Sequence, residues 1–195
     1  MKSILLSLLL AGLLSSYAQT SYLNHNASRP EDTGGVARFL HYLPEDIPIE
    51  VHIPQPESEE ANPTAAETVR AAFEAWQEAA EGLVSFDFVA EPGADSLEVR
   101  WQRLEPSAAG SYQYRWSITN GLYRFRTTSI TLDPSRDEAT LHRFALLQVG
   151  HALGLLGRSP YPGDAMSASP SGVVSERDVA TLLFLYSLPS GTPAE

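Results

Sequence analysis

Apolar and polar residues alternate along several stretches in the middle of the chain, which is the pattern of strands with one buried face. An earlier stretch, "IPIEVHI", is punctuated by prolines and is also predicted to be a strand. A turn signal, "TNG" at Thr119 to Gly121, separates the last two stretches. The alternating stretches are "LVSFDFVA", "SLEVRWQR", "GSYQYRWSI" and "LYRFRTTSITLD". The pattern predicts a sheet of about five strands.

Helical spacing of apolar residues replaces this alternation in three places. The first predicted helix follows Asn62, a candidate N-cap, and ends near Gly82. A second helix is predicted from about 137 to 156, and a third from about 175 to 188. Ser175 and Asp178 resemble a capping box at the start of the third. The order of elements predicts one α+β domain with three helices.

The ends of the chain differ from this patterned part. Residues 1–18 combine Lys2, the apolar run "ILLSLLLAGLL" and a small-residue cleavage site, which indicates a secretory signal peptide. Residues 19–35 are polar and are expected to form a flexible leader. The folded domain is predicted over 36–189, followed by a C-terminal tail at 190–195. The signal peptide predicts a secreted or periplasmic protein that is not transmembrane after cleavage.

The amino-acid composition excludes several classes of function. The chain has no cysteine, which excludes disulfides, thiolate metal ligands and a cysteine nucleophile. Its formal charge of −11 becomes −12 when Lys2, the only lysine, leaves with the signal peptide. This charge repels a phosphate backbone, so nucleic acid is not an expected partner. The stretch "NAS" at Asn26 to Ser28 matches an acceptor for N-glycosylation.

Candidate chemistry centres on "LLQVGHALGLLGRS", which resembles part of a metalloprotease zinc helix. The metzincin motif is H-E-x-x-H-x-x-G-x-x-H followed by a methionine turn. Two histidines four apart share a helix face, and the glutamate acts as general base on metal-bound water. In this frame His151 and Gly154 match the motif. Three other defining positions do not match, since they hold Leu147, Gln148 and Gly157.

Further stretches extend the similarity over most of the chain, from about 36 to 189. "GHALGL" and "DAMSASP", which contains Met166 at the methionine position, resemble the matrixins, a metzincin family of secreted zinc endopeptidases. "VSERD", "LLFLY", "IPIEVHI" and "AAFEAWQEAAEGLVSFDFV" resemble other parts of that family's domain. The resemblance implies a matrixin-like fold with a twisted mixed sheet of about five strands and three helices. It also implies zinc as the family's cofactor, His151 as the one retained metal ligand, and shaping roles for Gly154 and Met166.

The departures from the motif predict loss of chemistry. Leucine and glycine supply no donor atom at positions 147 and 157, and a glutamine at 148 cannot take a proton from water near neutral pH. His151 alone is insufficient for a stable site, so no bound zinc is expected. Asp164 is a conceivable substitute ligand, but its place in a loop favours a solvated residue. His41 and His52 are interpreted as ordinary strand residues, and His142 points to the opposite face of the helix from His151.

Three hypotheses follow from these residues. The first is an exported pseudopeptidase of the matrixin-like family, with no catalytic residue, that retains a cleft for an extended peptide or protein segment. The resemblance implies that this peptide lies along an edge strand formed by "AAGSYQYRW" at 108–116. The second is an active secreted zinc endopeptidase with substitute ligands. The third is a structural domain without a ligand.

Overall fold

The computed structural model describes residues 21–194, so the predicted signal peptide at 1–18 lies outside the described residues. Three α-helices are present in this range: α1 (Ala65–Ala79), α2 (Glu138–Ala152) and α3 (Glu176–Ser187). Two sheets accompany them. Their strands are β1 (Arg38–Phe39), β2 (Ile49–His52), β3 (Phe86–Val89), β4 (Leu97–Trp101), β5 (Ser111–Thr119), β6 (Leu122–Leu132) and β7 (Thr192–Pro193). None of the described helices is long and apolar enough to cross a membrane.

The larger sheet has five strands in the order β3-β2-β4-β6-β5. Neighbouring strands are parallel except for β5, which pairs antiparallel to β6 and lies at one end. A tight turn joins β5 to β6 through Asn120 and Gly121, both at positive φ, as an Asn-Gly hairpin turn requires. The predicted α+β class, three helices and mixed five-stranded sheet are therefore confirmed.

The core lies between this sheet and the helices α1 and α2. Val51 and Val99 alternate with more exposed residues, and both are almost fully buried, as is Ile130, the partner of Val99 on the next strand. Trp76 on α1 is fully buried and donates its indole N–H to the carbonyl oxygen of Leu146 on α2, at 2.8 Å. The aromatic stripe of α1 is thus core, and it fixes α2 beneath the sheet.

The helices differ from their predicted bounds at their ends. The side chain of Asn62 accepts hydrogen bonds from the backbone N–H and hydroxyl of Thr64, and α1 begins at Ala65. The second helix ends at Ala152, four residues earlier than predicted, because the chain turns at Gly154 with φ +104°. The capping box between Ser175 and Asp178 is present, with both reciprocal hydrogen bonds.

The two terminal segments pack against the domain, which corrects the expectation that the ordered domain begins near Val36. Tyr22 and Leu23 are each only 3% exposed and belong to the hydrophobic core. At the other end, β7 pairs antiparallel with β1, so residues predicted as a tail complete a small second sheet. Apolar residues inside polar stretches were the only sequence signal for this packing.

Candidate functional site

The candidate site lies at the C-terminal end of α2, where His151 occupies the last turn and is 4% exposed. Its Nδ1 lies 2.6 Å from the carbonyl oxygen of Leu155. A carbonyl oxygen only accepts, so Nδ1 carries the hydrogen and Nε2 holds the lone pair. Burial, together with the smaller effect of the Arg158 charge, lowers the pKa of His151 to about 4 and outweighs the hydrogen bond to Leu155, which raises it. The imidazole is therefore neutral near pH 7.

One face of this imidazole is covered by the end strand of the sheet. The ring of Tyr112 on β5 stacks on it, with 4.4 Å between the ring centroids and 23° between the planes. The Tyr112 hydroxyl donates to the carbonyl oxygen of Leu156 at 2.9 Å. The strand, the histidine and the chain beyond α2 are thus held together.

The positions that would complete a metal site contain no donor atoms. Leu147 is fully buried in the hydrophobic core. Gly157 donates its backbone N–H to Oδ1 of Asn26 at 3.2 Å. A Cβ atom at position 157 would overlap the carbonyl oxygen of His25. Backbone of the N-terminal segment therefore occupies the space that a side chain at 157 would need.

The general-base position is occupied by a structural amide. Gln148 is 1% exposed, and its Nε2 donates to the carbonyl oxygen of Ala109 at 3.0 Å. The other amide atom, Oε1, is buried without a hydrogen-bond partner among the described residues. Gly110 fits closely against this side chain, since a Cβ there would lie 3.1 Å from Gln148 Cγ. The amide thus holds the chain just before β5 against α2.

The two shaping positions lie close to this histidine in the fold. Gly154 has φ +104°, and a Cβ there would overlap the carbonyl oxygen of Leu40. Met166 is fully buried, and its sulfur fills the space above Gly150, where a Cβ would overlap it. Glycine is therefore needed at 154 for both the turn and the close approach of the backbone.

Asp164 is not the solvated loop residue that the sequence suggested. Its side chain is fully buried and accepts hydrogen bonds from the hydroxyls of Ser159 and Ser175, at 2.6 and 2.7 Å. Arg177 binds both carboxylate oxygens, at 2.8 and 3.2 Å. These bonds join the loop that contains Met166, called here the methionine loop, to the start of α3. Asp164 is consequently a structural residue with its oxygens already engaged.

The ring nitrogens of two other histidines, His41 and His52, lie near backbone carbonyl oxygens. Both ring nitrogens of His41 lie 2.8 Å from backbone carbonyl oxygens, those of Tyr42 and Leu188. His52 lies on β2, with Nδ1 3.3 Å from the carbonyl oxygen of Val89. His142 lies in the first half of α2. Among the side chains that the structure describes, which leave out those of residues 31 and 32, no three His, Asp or Glu are arranged to hold a metal ion.

The donor set around His151 therefore does not fit a zinc ion. A structural or catalytic zinc site takes three or four protein ligands, and one imidazole nitrogen is the only such donor that the motif positions retain. Comparison with known proteins adds no candidate chemistry: no protein-family model matches the chain, and no curated protein sequence does. The similarity to matrixins accordingly rests on the motifs in this sequence.

Sequence reasoning missed the N-terminal segment as part of this site. Asn26 is fully buried and bonds to Gly157, and Tyr22 donates its hydroxyl hydrogen to Oδ1 of Asp178. The sequence signal was small, because the only apolar pair in this polar stretch is Tyr22 and Leu23. Long-range contacts of this kind have no local periodicity that a sequence pattern would reveal.

Proposed function

We propose that this protein is an exported, non-catalytic member of the matrixin-like metzincins, a pseudopeptidase that binds an extended peptide without cleaving it. Residues 1–18, interpreted as a signal peptide, support export to the outside of the cell or to a periplasm. Retention of the scaffold residues with loss of the chemical ones supports the rest.

The observation that carries the proposal is the environment of His151. The imidazole lies on the last turn of α2, stacked under Tyr112 and held through Nδ1 by Leu155, while the buried Met166 packs against the neighbouring Gly150. This arrangement leaves the Nε2 lone pair for a ligand and suits a ligand position of the motif. The neighbouring motif positions have structural roles in this protein. Leu147 is part of the core, Gln148 supports the chain before β5, and Gly157 contacts the N-terminal segment. Reversal of any one of them would disturb packing as well as chemistry.

Peptide binding is proposed for β5 because it is an end strand of the larger sheet among residues 21–194. A strand at the end of a sheet can pair through its backbone with an added extended segment, and such pairing needs no metal. Two bonds near the start of β5 keep it in place: Gln148 to Ala109, and Tyr112 to Leu156. These bonds pre-organise the strand, which lowers the ordering cost of binding.

Metal content tests the non-catalytic part of the proposal. The mature chain, residues 19–195, is equilibrated with micromolar zinc, freed of unbound metal and analysed for zinc per chain. We expect far less than one ion per chain. One ion per chain would overturn the proposal and favour the active endopeptidase with substitute ligands, which chelator-sensitive cleavage of an unfolded protein would then establish.

Hydrogen exchange tests the binding part. The mature chain is mixed with a pool of unstructured ten-residue peptides, and amide exchange is followed by mass spectrometry. We expect added protection in β5 and none in β3, the strand at the other end of the same sheet, which serves as an internal control. No added protection in β5 at millimolar peptide would favour a structural domain without a ligand.

A further inference from the structure

The segment from 21 to 28, called here the strap, crosses the chain beyond α2 at the position of the missing third ligand. It is anchored to α3 at one end, where Tyr22 donates its backbone N–H to the hydroxyl oxygen of Thr181 at 3.1 Å. The Tyr22 side chain contacts Asp178 on the same helix. At the other end Ser28 exchanges hydrogen bonds with Arg38 on β1, at 2.8 and 3.0 Å.

Asn26 is the centre of the strap. Its side-chain amide donates to the carbonyl oxygen of Tyr22 at 3.1 Å, and its Oδ1 accepts the backbone N–H of Gly157 at 3.2 Å. Both ends of the amide are therefore used, and the residue is fully buried. An N-linked glycan on this nitrogen is incompatible with the seated strap, although the sequence around Asn26 matches an acceptor.

Gly157 makes this crossing possible. A Cβ at 157 would overlap the carbonyl oxygen of His25 and lie 2.6 Å from its carbonyl carbon. These are backbone atoms, which cannot move aside as a flexible side chain does. Any side chain at 157, including a metal-ligating histidine, and the seated strap exclude each other. The glycine is thus explained by the strap as well as by loss of a ligand.

We propose that the strap is a detachable self-closing segment that fills the third-ligand side of the His151 site, and that it opens as a unit while the domain stays folded. The strap is closed on itself, because the backbone and side-chain N–H groups of Asn26 donate to the carbonyl oxygens of Leu23 and Tyr22, at 2.8 and 3.1 Å. A segment with such internal hydrogen bonds can open as one unit, at a lower free energy than global unfolding. The proposal does not depend on peptide binding at β5.

Amide exchange in the intact mature chain tests the strap. In the parent protein, amides of Tyr22, Asn26 and Ser28 should exchange more slowly than an unstructured peptide but faster than those of α1 and α2. Gly157→Ala should speed exchange of these strap amides at least tenfold and leave the core of α1 and α2 protected. The matched control is Gly172→Ala, since a Cβ at 172 meets nothing closer than 3.9 Å, and it should change nothing.

A second variant keeps the test decisive if Gly157→Ala does not fold, as judged by near-ultraviolet circular dichroism. Asn26→Ala removes both central hydrogen bonds without adding an atom, and should speed exchange at the strap and at the Gly157 amide. Unchanged strap protection in whichever variant folds would overturn the proposal. Strap exchange that rises only together with exchange of α1 and α2 would also overturn it, because the strap would then not be separable from the core.

Discussion

The ring of Tyr112 lies 4.4 Å from the imidazole of His151, centroid to centroid, and nearly parallel to it. This contact joins the end strand of the sheet to the last turn of α2. It covers one face of the imidazole, whereas the Nε2 lone pair lies in the plane of the ring. The stacked pair gives His151 a role in packing that persists without a metal.

The buried imidazole should make folding sensitive to mild acid. Its pKa is about 4 in the folded protein because of burial, against about 6.5 when unfolded, so the unfolded chain binds the extra proton between these values. The His151 contribution to stability is complete above pH 6.5. As pH falls from there towards 4, the contribution is lost at up to about 1.4 kcal/mol per pH unit. Urea unfolding at a series of pH values measures this.

Substitution identifies the part of that slope due to His151. His151→Phe, which retains an aromatic ring under Tyr112, should flatten the pH dependence between 6.5 and 4. His142→Gln, a change on the same helix at a half-buried position, should leave the slope in place. An equal slope in the parent and in His151→Phe would show that His151 is not the group responsible.

Restoring the general base should destabilise the protein. Gln148→Glu replaces the amide donor to the Ala109 carbonyl oxygen with a carboxylate, which faces that oxygen in a buried position. We expect a loss of about 2 to 4 kcal/mol near pH 7, because a buried charge then lacks a partner. The deficit should shrink as pH falls towards about 4.3, since burial raises the pKa of such a carboxyl and protonation removes the charge.

Chemical denaturation of Gln148→Glu and Gln148→Met at pH 7 and pH 5 measures this effect. The methionine variant loses the same hydrogen bond without gaining a charge, so its deficit should not depend on pH. A glutamate variant as stable as the parent at pH 7 would contradict the structural role assigned to this amide.

The buried carboxylate of Asp164 should contribute more to the free energy of unfolding than an exposed carboxylate does. Asp164→Asn weakens the bonds from both serines and the two-point contact with Arg177, a residue whose side chain is 42% exposed. After allowance for solvent at the arginine, we expect a loss of about 2 to 3 kcal/mol. Thermal and urea unfolding measure it.

The matched control for that change is Asp95→Asn, which also removes a carboxylate paired with arginines. Asp95 is 56% exposed in its pairs with Arg115 and Arg126, and exposed pairs contribute at most about 1 kcal/mol. Equal losses in the two variants would mean that Asp164 does not hold the methionine loop to α3.

Rebuilding the metal site should displace the strap. In the triple variant Leu147→His, Gln148→Glu and Gly157→His, the side chain at 157 and the carbonyl of His25 compete for the same space. We expect zinc binding to be accompanied by loss of exchange protection over residues 22–28. Zinc content and amide exchange, measured on the same sample, check this. Stoichiometric zinc with a fully protected strap would contradict the exclusion.

Local patterns predicted much of the secondary structure. Alternation placed β3, β4, β5 and β6 within a few residues, because one face of each strand is less exposed than the other and the side-chain period of a strand is two. The Asn120–Gly121 turn and the Ser175–Asp178 capping box were also readable, since both depend on neighbouring residues only. The predicted end of α2 was less accurate. The helix ends before Gly154, where the chain turns and the backbone of Leu40 packs closely, and this contact between distant residues has no local sequence signal.

The sequence by itself determined which side chains are available at the candidate site: one histidine, with leucine, glutamine and glycine where two ligands and a base would be expected. Only the tertiary structure decided what those residues do instead. Leu147 joins the core, Gln148 holds the chain before β5, and Gly157 lets the strap cross. Asp164, which the sequence predicted to be a solvated loop residue, is a buried carboxylate with a structural role. Composition and motif spacing are local properties, whereas burial and hydrogen-bond partners depend on segments more than a hundred residues apart, as Asn26 and Gly157 are.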